Sequence, residues 1–307
     1  MALVTMRELL EAGIHFGHQT RRWNPKMARY IYAQRNGIYI IDLKHSLRQL
    51  YRSYALVRDI VTAGGHVLFV GTKRQAQDAV RTEAERCGMY HVTTRWLGGT
   101  LTNYQTVRKS ISELFRLQGL EEDGTIERFS KKEAAMMRKQ RLKLEKNLLG
   151  IQHMPGIPHA IFIIDTKREA IAVREARRLK IPCIGIVDTN SDPDDVDLPI
   201  PGNDDAIRAV QLYCRIIADA AIEGKLRAEK IRAEEEAERR SRREGADTPE
   251  AEGEGDGKDS AEKETAAKSA DDAYDDQYDG NADKSTEVTD EERGAGVAEA
   301  SESESSE

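Results

Sequence analysis

Three short runs, His66 to Val70 (HVLFV), Ala160 to Asp165 (AIFIID) and Ile181 to Asp188 (IPCIGIVD), are apolar at nearly every position rather than at every second one. Continuous apolarity over so few residues suits a strand covered on both faces, the situation of a parallel sheet. Tyr90 to Thr94 and a short stretch near Leu198 to Pro201 extend the set, and between the runs Lys73 to Arg86, Lys167 to Leu179 and Asp204 to Ile222 repeat apolar residues at helical spacing. Strands and helices in alternation predict an α/β class: a mainly parallel sheet inside a three-layer domain.

Two elements stand outside this alternation. Tyr30 to Ile41 places Asn36-Gly37 between two apolar runs, which predicts a β-hairpin because both residues tolerate positive φ. A helix follows, with Leu43, Leu47, Leu50, Tyr54, Val57 and Val61 facing a core and Lys44, Arg48 and Arg52 on another face. Residues 104–149 carry no strand signal. Val107, Ile111 and Leu114, then Met137, Leu144 and Leu148, have helical spacing on either side of a Glu121 to Gly124 turn, predicting an inserted antiparallel coiled-coil hairpin.

The formal charge of −7 hides an asymmetry. Residues 1–182 hold 32 Lys and Arg against 17 Asp and Glu; residues 225–307 hold 13 against 28. A basic body invites a polyanion, because neutralised phosphates release counterions. Residues 225–244 read as a charged helical extension, and residues 245–307, rich in Gly, Ser, Ala, Asp and Glu, as a disordered acidic tail. Such a tail would compete with RNA for the basic body. No apolar run approaches the roughly 18 residues of a membrane helix, and the first ten residues lack signal-peptide character, so a cytoplasmic protein is expected. Cys87, Cys183 and Cys214 form no CxxC pair and read as buried small hydrophobes.

Catalytic chemistry finds little support. Val70-Gly71-Thr72-Lys73 leads from a strand to a helix but lacks the GxxxxGK[ST] pattern of a nucleotide-cradling loop. An enzyme acting on a phosphorylated small molecule at Gly71 to Arg74 would still lack an acid or base nearby. Asp188 to Asp194 begins like a calcium loop but has Pro193 where Gly is required and Pro199 where a bidentate Glu is required. Asp188, Asp204 and Asp205 remain weak candidates for one cation; the plainer expectation makes a turn of Asp192-Pro193 and a helix cap or first-turn acid of Asp204. His15 and His18, three apart, read as packed or RNA-facing rather than as a metal pair. Neither an enzyme nor a cofactor is expected.

Nucleic-acid chemistry is better represented. Phe16 to Tyr30 (FGHQTRRWNPKMARY) interleaves Arg21, Arg22, Lys26 and Arg29 with Trp23 and the amide of Asn24, and contains no carboxylate. Cations hold phosphates, amides reach base edges, and aromatics stack on unpaired bases. The mixture recurs in Arg95, Trp96, Gly98, Gly99, Asn103 and Tyr104, where paired glycines admit a phosphate backbone. Lys73 and Arg74 at a helix start, and Lys167, Arg174, Arg177, Arg178 and Lys180 on a helix, complete the candidate RNA-binding set. An adaptor working through the hairpin alone would instead leave Arg21 and Arg22 dispensable.

LLEAGIHFGHQTRRWNPKM (Leu9 to Met27), YIIDL (Tyr39 to Leu43), LFVGTKRQA (Leu68 to Ala76), RWLGGTLTN (Arg95 to Asn103), GIPHAIFIID (Gly156 to Asp165) and IGIVDTNSDPDDVDLPIPGNDDAIRAV (Ile184 to Val210) resemble, in order, the bacterial small-subunit ribosomal protein two family. The resemblance covers about residues 5–224 and makes residues 1–224 the body. It implies a flavodoxin-like domain with an inserted coiled-coil hairpin. It further implies ribosomal RNA contacts between head and body of the small subunit, late joining in assembly, and docking of ribosomal protein one for initiation. Nothing in it extends to the tail.

Overall fold

The computed structural model describes residues 4–246, with side chains through residue 239. Helix α1 (Met6–Glu11) starts on a capping box in which Thr5 and Glu8 exchange hydrogen bonds. Strands β1 (Phe16–Gln19), β2 (Ile31–Arg35) and β3 (Ile38–Ile41) form a small antiparallel sheet of order β1-β3-β2. The expected turn is present, with Asn36 at φ 52° and Gly37 at φ 73°, the two positive values a two-residue hairpin of this kind requires. β1 was not expected: four residues containing Gly17 carry no pattern of their own, and the strand exists through pairing with β3.

Helix α2 (Leu43–Thr62) opens on Asp42, whose carboxylate accepts from the Lys44 N–H, and buries the predicted stripe, with Leu50, Val57 and Val61 fully inside and Lys44, Arg48 and Arg52 exposed. Strand β4 (Val67–Val70), helix α3 (Arg74–Arg86) and strand β5 (Tyr90–Val92) follow. Next come α4 (Tyr104–Glu122) and α5 (Lys131–Leu148), then β6 (Ala160–Ile163), α6 (Ala170–Arg178), β7 (Cys183–Val187), β8 (Leu198–Pro201) and α7 (Ile207–Ala246). The last body helix and the expected charged extension are one uninterrupted element. The expected disordered tail lies outside the described residues.

The second sheet has order β5-β4-β6-β7-β8, parallel throughout, with Phe69 opposite Phe162 and Ile163 opposite Gly185. Numbered from its own first strand, this is the flavodoxin-like order 2-1-3-4-5. Every residue of β4, β6 and β7 is buried, because both faces are covered. On one side α1, α2, α3 and α7 supply Leu9, Leu50, Val57, Val80 and Tyr213 around Phe69 and Phe162. On the other, α6, residues 92–101 and the base of the inserted hairpin cover Leu68, Ile161 and Ile163, joined by Met27 and Tyr30. Each such large side chain contributes about 1.5–3 kcal/mol on burial. All three cysteines are free and buried.

Helices α4 and α5 pack as an antiparallel pair. Ile111, Leu114, Leu117 and Ala134 lie buried, and Glu121 bonds Arg141 across the pair at 2.6 Å. Gly124, at φ 67°, turns the chain between them. Ser130 and Glu133 form a capping box at the start of α5.

Candidate nucleic-acid interface

The loops at the carboxyl ends of the parallel strands hold most of the chemistry-bearing residues, as open α/β sheets commonly do. After β4, Lys73 is not free. Its Nζ lies 2.7 Å from Asp204 Oδ1, 2.5 Å from Asp205 Oδ1 and 3.5 Å from Asp165 Oδ2. Burial works against the ammonium, but the carboxylates outweigh it and hold its pKa above the ordinary lysine value. The neighbouring Thr72 N–H and hydroxyl donate to Glu169, whose carboxyl burial pushes upward. The protein's own carboxylates, Glu169 at Thr72 and Asp165, Asp204 and Asp205 at Lys73, therefore engage the donors that a phosphate at Gly71 to Arg74 would require. The expectation for Lys73 as a phosphate ligand is corrected on that ground, whereas Arg74 stays exposed.

Asp204 caps nothing. Asn203 accepts from the Asp205 and Ala206 N–H groups at 2.8 and 3.2 Å, and Asp204 is turned inward, fully buried, with Oδ2 unpartnered. Burial, then the nearby Asp165 and Asp188, raises its pKa to about 7. His18 Nδ1 lies 2.9 Å from Asp188 Oδ2, and that bond raises the imidazole pKa despite burial. His18 Nε2 lies 3.5 Å from Asp205 Oδ2. His18, Asp188 and Asp204 offer ligand atoms within 4.8 Å of one another, a set chemically able to hold a divalent cation. His15 points elsewhere, against Phe16, and burial lowers its pKa. The Asp192-Pro193 turn is present, with the Asp192 carboxylate accepting from the Asp194 N–H.

The segment from Gln19 to Tyr30 contains no carboxylate, yet the fold brings some to it. Lys26 Nζ lies 2.6 Å from Asp192, and Arg29 lies 2.5 Å from Asp194. Arg21 and Arg22 are exposed and have no ion-pair partner among the described residues. Trp23 keeps 36% of its surface exposed and stands against Tyr39, ring centroids 5.1 Å apart. Asn24 uses its side chain to accept from the Lys26 N–H and its own N–H to reach the Thr189 carbonyl.

Trp96 corrects the expectation of a second exposed tryptophan. It is only 6% exposed, and its indole N–H donates to Glu175 at 3.1 Å, which leaves no ring face for a base. The Glu175 carboxylate also accepts from the N–H groups of Gly99, Leu101 and Thr102, at 2.7, 2.9 and 3.1 Å, and from the Thr102 hydroxyl. Burial pushes this carboxyl up, but the converging donors win and hold it below the ordinary glutamate value. A buried glutamate on α6 thus ties down the loop that presents Arg95, Gly98 and Asn103 to solvent. Gly99, at φ 87°, makes the required bend. Tyr104 is half-buried and donates to the Met154 carbonyl at 2.8 Å. Sequence reasoning missed Glu175, since a lone acid at helical spacing looks like any solvated position.

On α6, Arg174, Arg177 and Arg178 are exposed, as are Lys167 and Lys180; Arg177 lies 3.9 Å from Asp195. Met27, Tyr30, Trp96, Leu101 and α6 share one core, so the segments bearing Lys26, Arg95 and Arg174 stand on one side of the sheet.

These features define a flavodoxin-like α/β protein with a helical insertion and an exposed basic surface, with Trp23 beside its free arginines. The family model described as Ribosomal protein S2 matches residues 9–224, and the chain belongs to that family. It is accordingly a structural protein of the small ribosomal subunit, part of a ribonucleoprotein acting in translation. No helix among the described residues is long and apolar enough to cross a membrane.

Proposed function

We propose that this chain binds small-subunit ribosomal RNA between head and body, joins late in subunit assembly, and supports docking of ribosomal protein one for initiation in the cytoplasm. Arg21, Arg22, Arg74, Arg95, Arg174 and Arg178 neutralise phosphates. Trp23 stacks on an unpaired base, and Asn103 and the Gly98-Gly99 turn meet the backbone. Lys26 and Arg29 are held by Asp192 and Asp194 and exchange those partners for phosphate on binding. The α4/α5 pair serves as a coiled-coil second contact arm. The observation that carries this reading is that the arginines of four separate segments are exposed and unneutralised while Lys26, Arg29 and Lys73 are paired. Neither catalysis nor a cofactor enters it.

Gradient sedimentation of the tagged chain from lysate tests it, with and without the Arg21→Ala/Arg22→Ala pair, over a series of salt concentrations. Co-migration with the small subunit, weakened by the substitutions and by salt, is the expected result. A chain that stays at the top of the gradient even at low salt overturns the reading.

A further inference from the structure

Beyond the carboxyl end of β5 the fold encloses a pocket of about 460 Å³ that none of the interface residues line. Its walls come from three elements that are remote in sequence. Helix α3 supplies Gln77 and Arg81, one turn apart; the chain after β5 supplies Thr93 and Thr94; the end of α5 supplies Lys146, Asn147 and Leu149. The volume falls in the range of small-molecule sites, and the pocket opens at the carboxyl end of the edge strand β5.

The lining has a definite chemical bias. Arg81 and Lys146 are exposed and have no ion-pair partner among the described residues. The one carboxylate in the wall, Glu145, is already bonded to Arg141 at 2.7 Å. The hydroxyls of Thr93 and Thr94 make no hydrogen bond within the described residues, although Thr93 is buried. Leu149, which is 46% exposed, gives an apolar surface beside these polar groups. Two of the lining residues are packed directly on each other: Gly150 lies so close to His91 that an added Cβ would stand 2.1 Å from the His91 carbonyl oxygen.

We propose that this pocket seats one phosphate-bearing nucleotide unit, with Arg81 and Lys146 on the phosphate, the threonine hydroxyls on phosphate or sugar oxygens, and the base against Leu149. The nucleotide comes either from an RNA chain, in which case the inference rests on the RNA-binding reading above, or from a free nucleotide. The test uses the full chain and a set of probes: the four nucleoside 5′-monophosphates, inorganic phosphate, and a short single-stranded RNA. Binding is read by calorimetry and by amide shifts at Thr93, Thr94 and Lys146. The Arg81→Ala/Lys146→Ala and Arg21→Ala/Arg22→Ala pairs are compared with the unchanged chain; all four side chains are exposed, and unchanged melting confirms that each variant folds.

The expected result is weakening of roughly tenfold per cation removed from the pocket, with the monophosphates unaffected by the Arg21/Arg22 pair. Pocket-dependent binding of the RNA alone assigns the site to an RNA nucleotide; pocket-dependent binding of a monophosphate without binding of the RNA assigns it to a free nucleotide and leaves the RNA-binding reading to the gradient experiment above. Binding of RNA that depends only on Arg21 and Arg22, or phosphate binding as tight as nucleotide binding, overturns the proposal.

Discussion

Replacing Glu175 by alanine removes the common acceptor of five hydrogen bonds and leaves their donors in place. The two donors of Thr102, an exposed residue, can turn to water. The Trp96 indole N–H and the Leu101 N–H belong to residues only 6% and 1% exposed and cannot do so without opening the loop. Each orphaned buried donor costs about 1–3 kcal/mol, and the vacated volume adds to this, so a loss of about 3–5 kcal/mol follows. Glu175→Gln keeps the shape but turns an amide toward two of the N–H groups, for a loss of about 2 kcal/mol. Urea unfolding followed by Trp fluorescence reads both; with a slope of about 3 kcal/mol/M, the alanine variant shifts the midpoint by about 1 M. The pH dependence supplies a second signature. A carboxyl held below its ordinary value contributes stability that is present above the unfolded glutamate pKa of about 4.3 and lost as pH falls through the folded value. That acid-side component is absent from the glutamine variant. A midpoint shift under about 0.3 M for Glu175→Ala, with unchanged amide shifts from Arg95 to Asn103, would refute the idea that this carboxylate holds the loop.

Lys73→Met leaves Asp204 and Asp165 buried without their cation, and thermal or urea melts should show a loss of about 3–5 kcal/mol. Its RNA affinity, measured on the folded fraction, is expected to stay within twofold of the unchanged chain. The Arg21→Ala/Arg22→Ala pair should do the reverse, leaving melting unchanged while the slope of log K against log salt for RNA binding falls by about 1 to 2. Gly150→Ala drives a Cβ against the His91 carbonyl oxygen, and hydrogen exchange at β5 and the base of α5 should accelerate together, with a stability loss of about 2 kcal/mol or more. Gly37→Ala meets open space but keeps φ at 73°, so a loss of about 1 kcal/mol, readable by melting, comes from backbone strain alone.

Local pattern alone was enough for the elements whose burial is encoded in consecutive residues. The β4, β6 and β7 runs are apolar throughout because both sheet faces are covered, and the helix of residues 43–62 shows its core face at steps of three and four. Asn36-Gly37 announced its hairpin because few other pairs accept two positive φ values. The quoted motifs, running in order along the body, were sufficient for the family. What tertiary structure alone decided is the state of each charge and ring. Lys26, Arg29 and Lys73 look free in a segment without acids, yet their partners Asp192, Asp194 and Asp204 arrive from more than 130 residues away. Trp96 resembles Trp23 in its neighbours, but Trp96 packs into the core shared with α6 and donates to Glu175 there, while Trp23 stays exposed. The physical reason is range: backbone preference and periodicity act over a few residues and are written in the chain, whereas ion pairing and desolvation depend on distances that exist only once the sheet has brought its strand ends together.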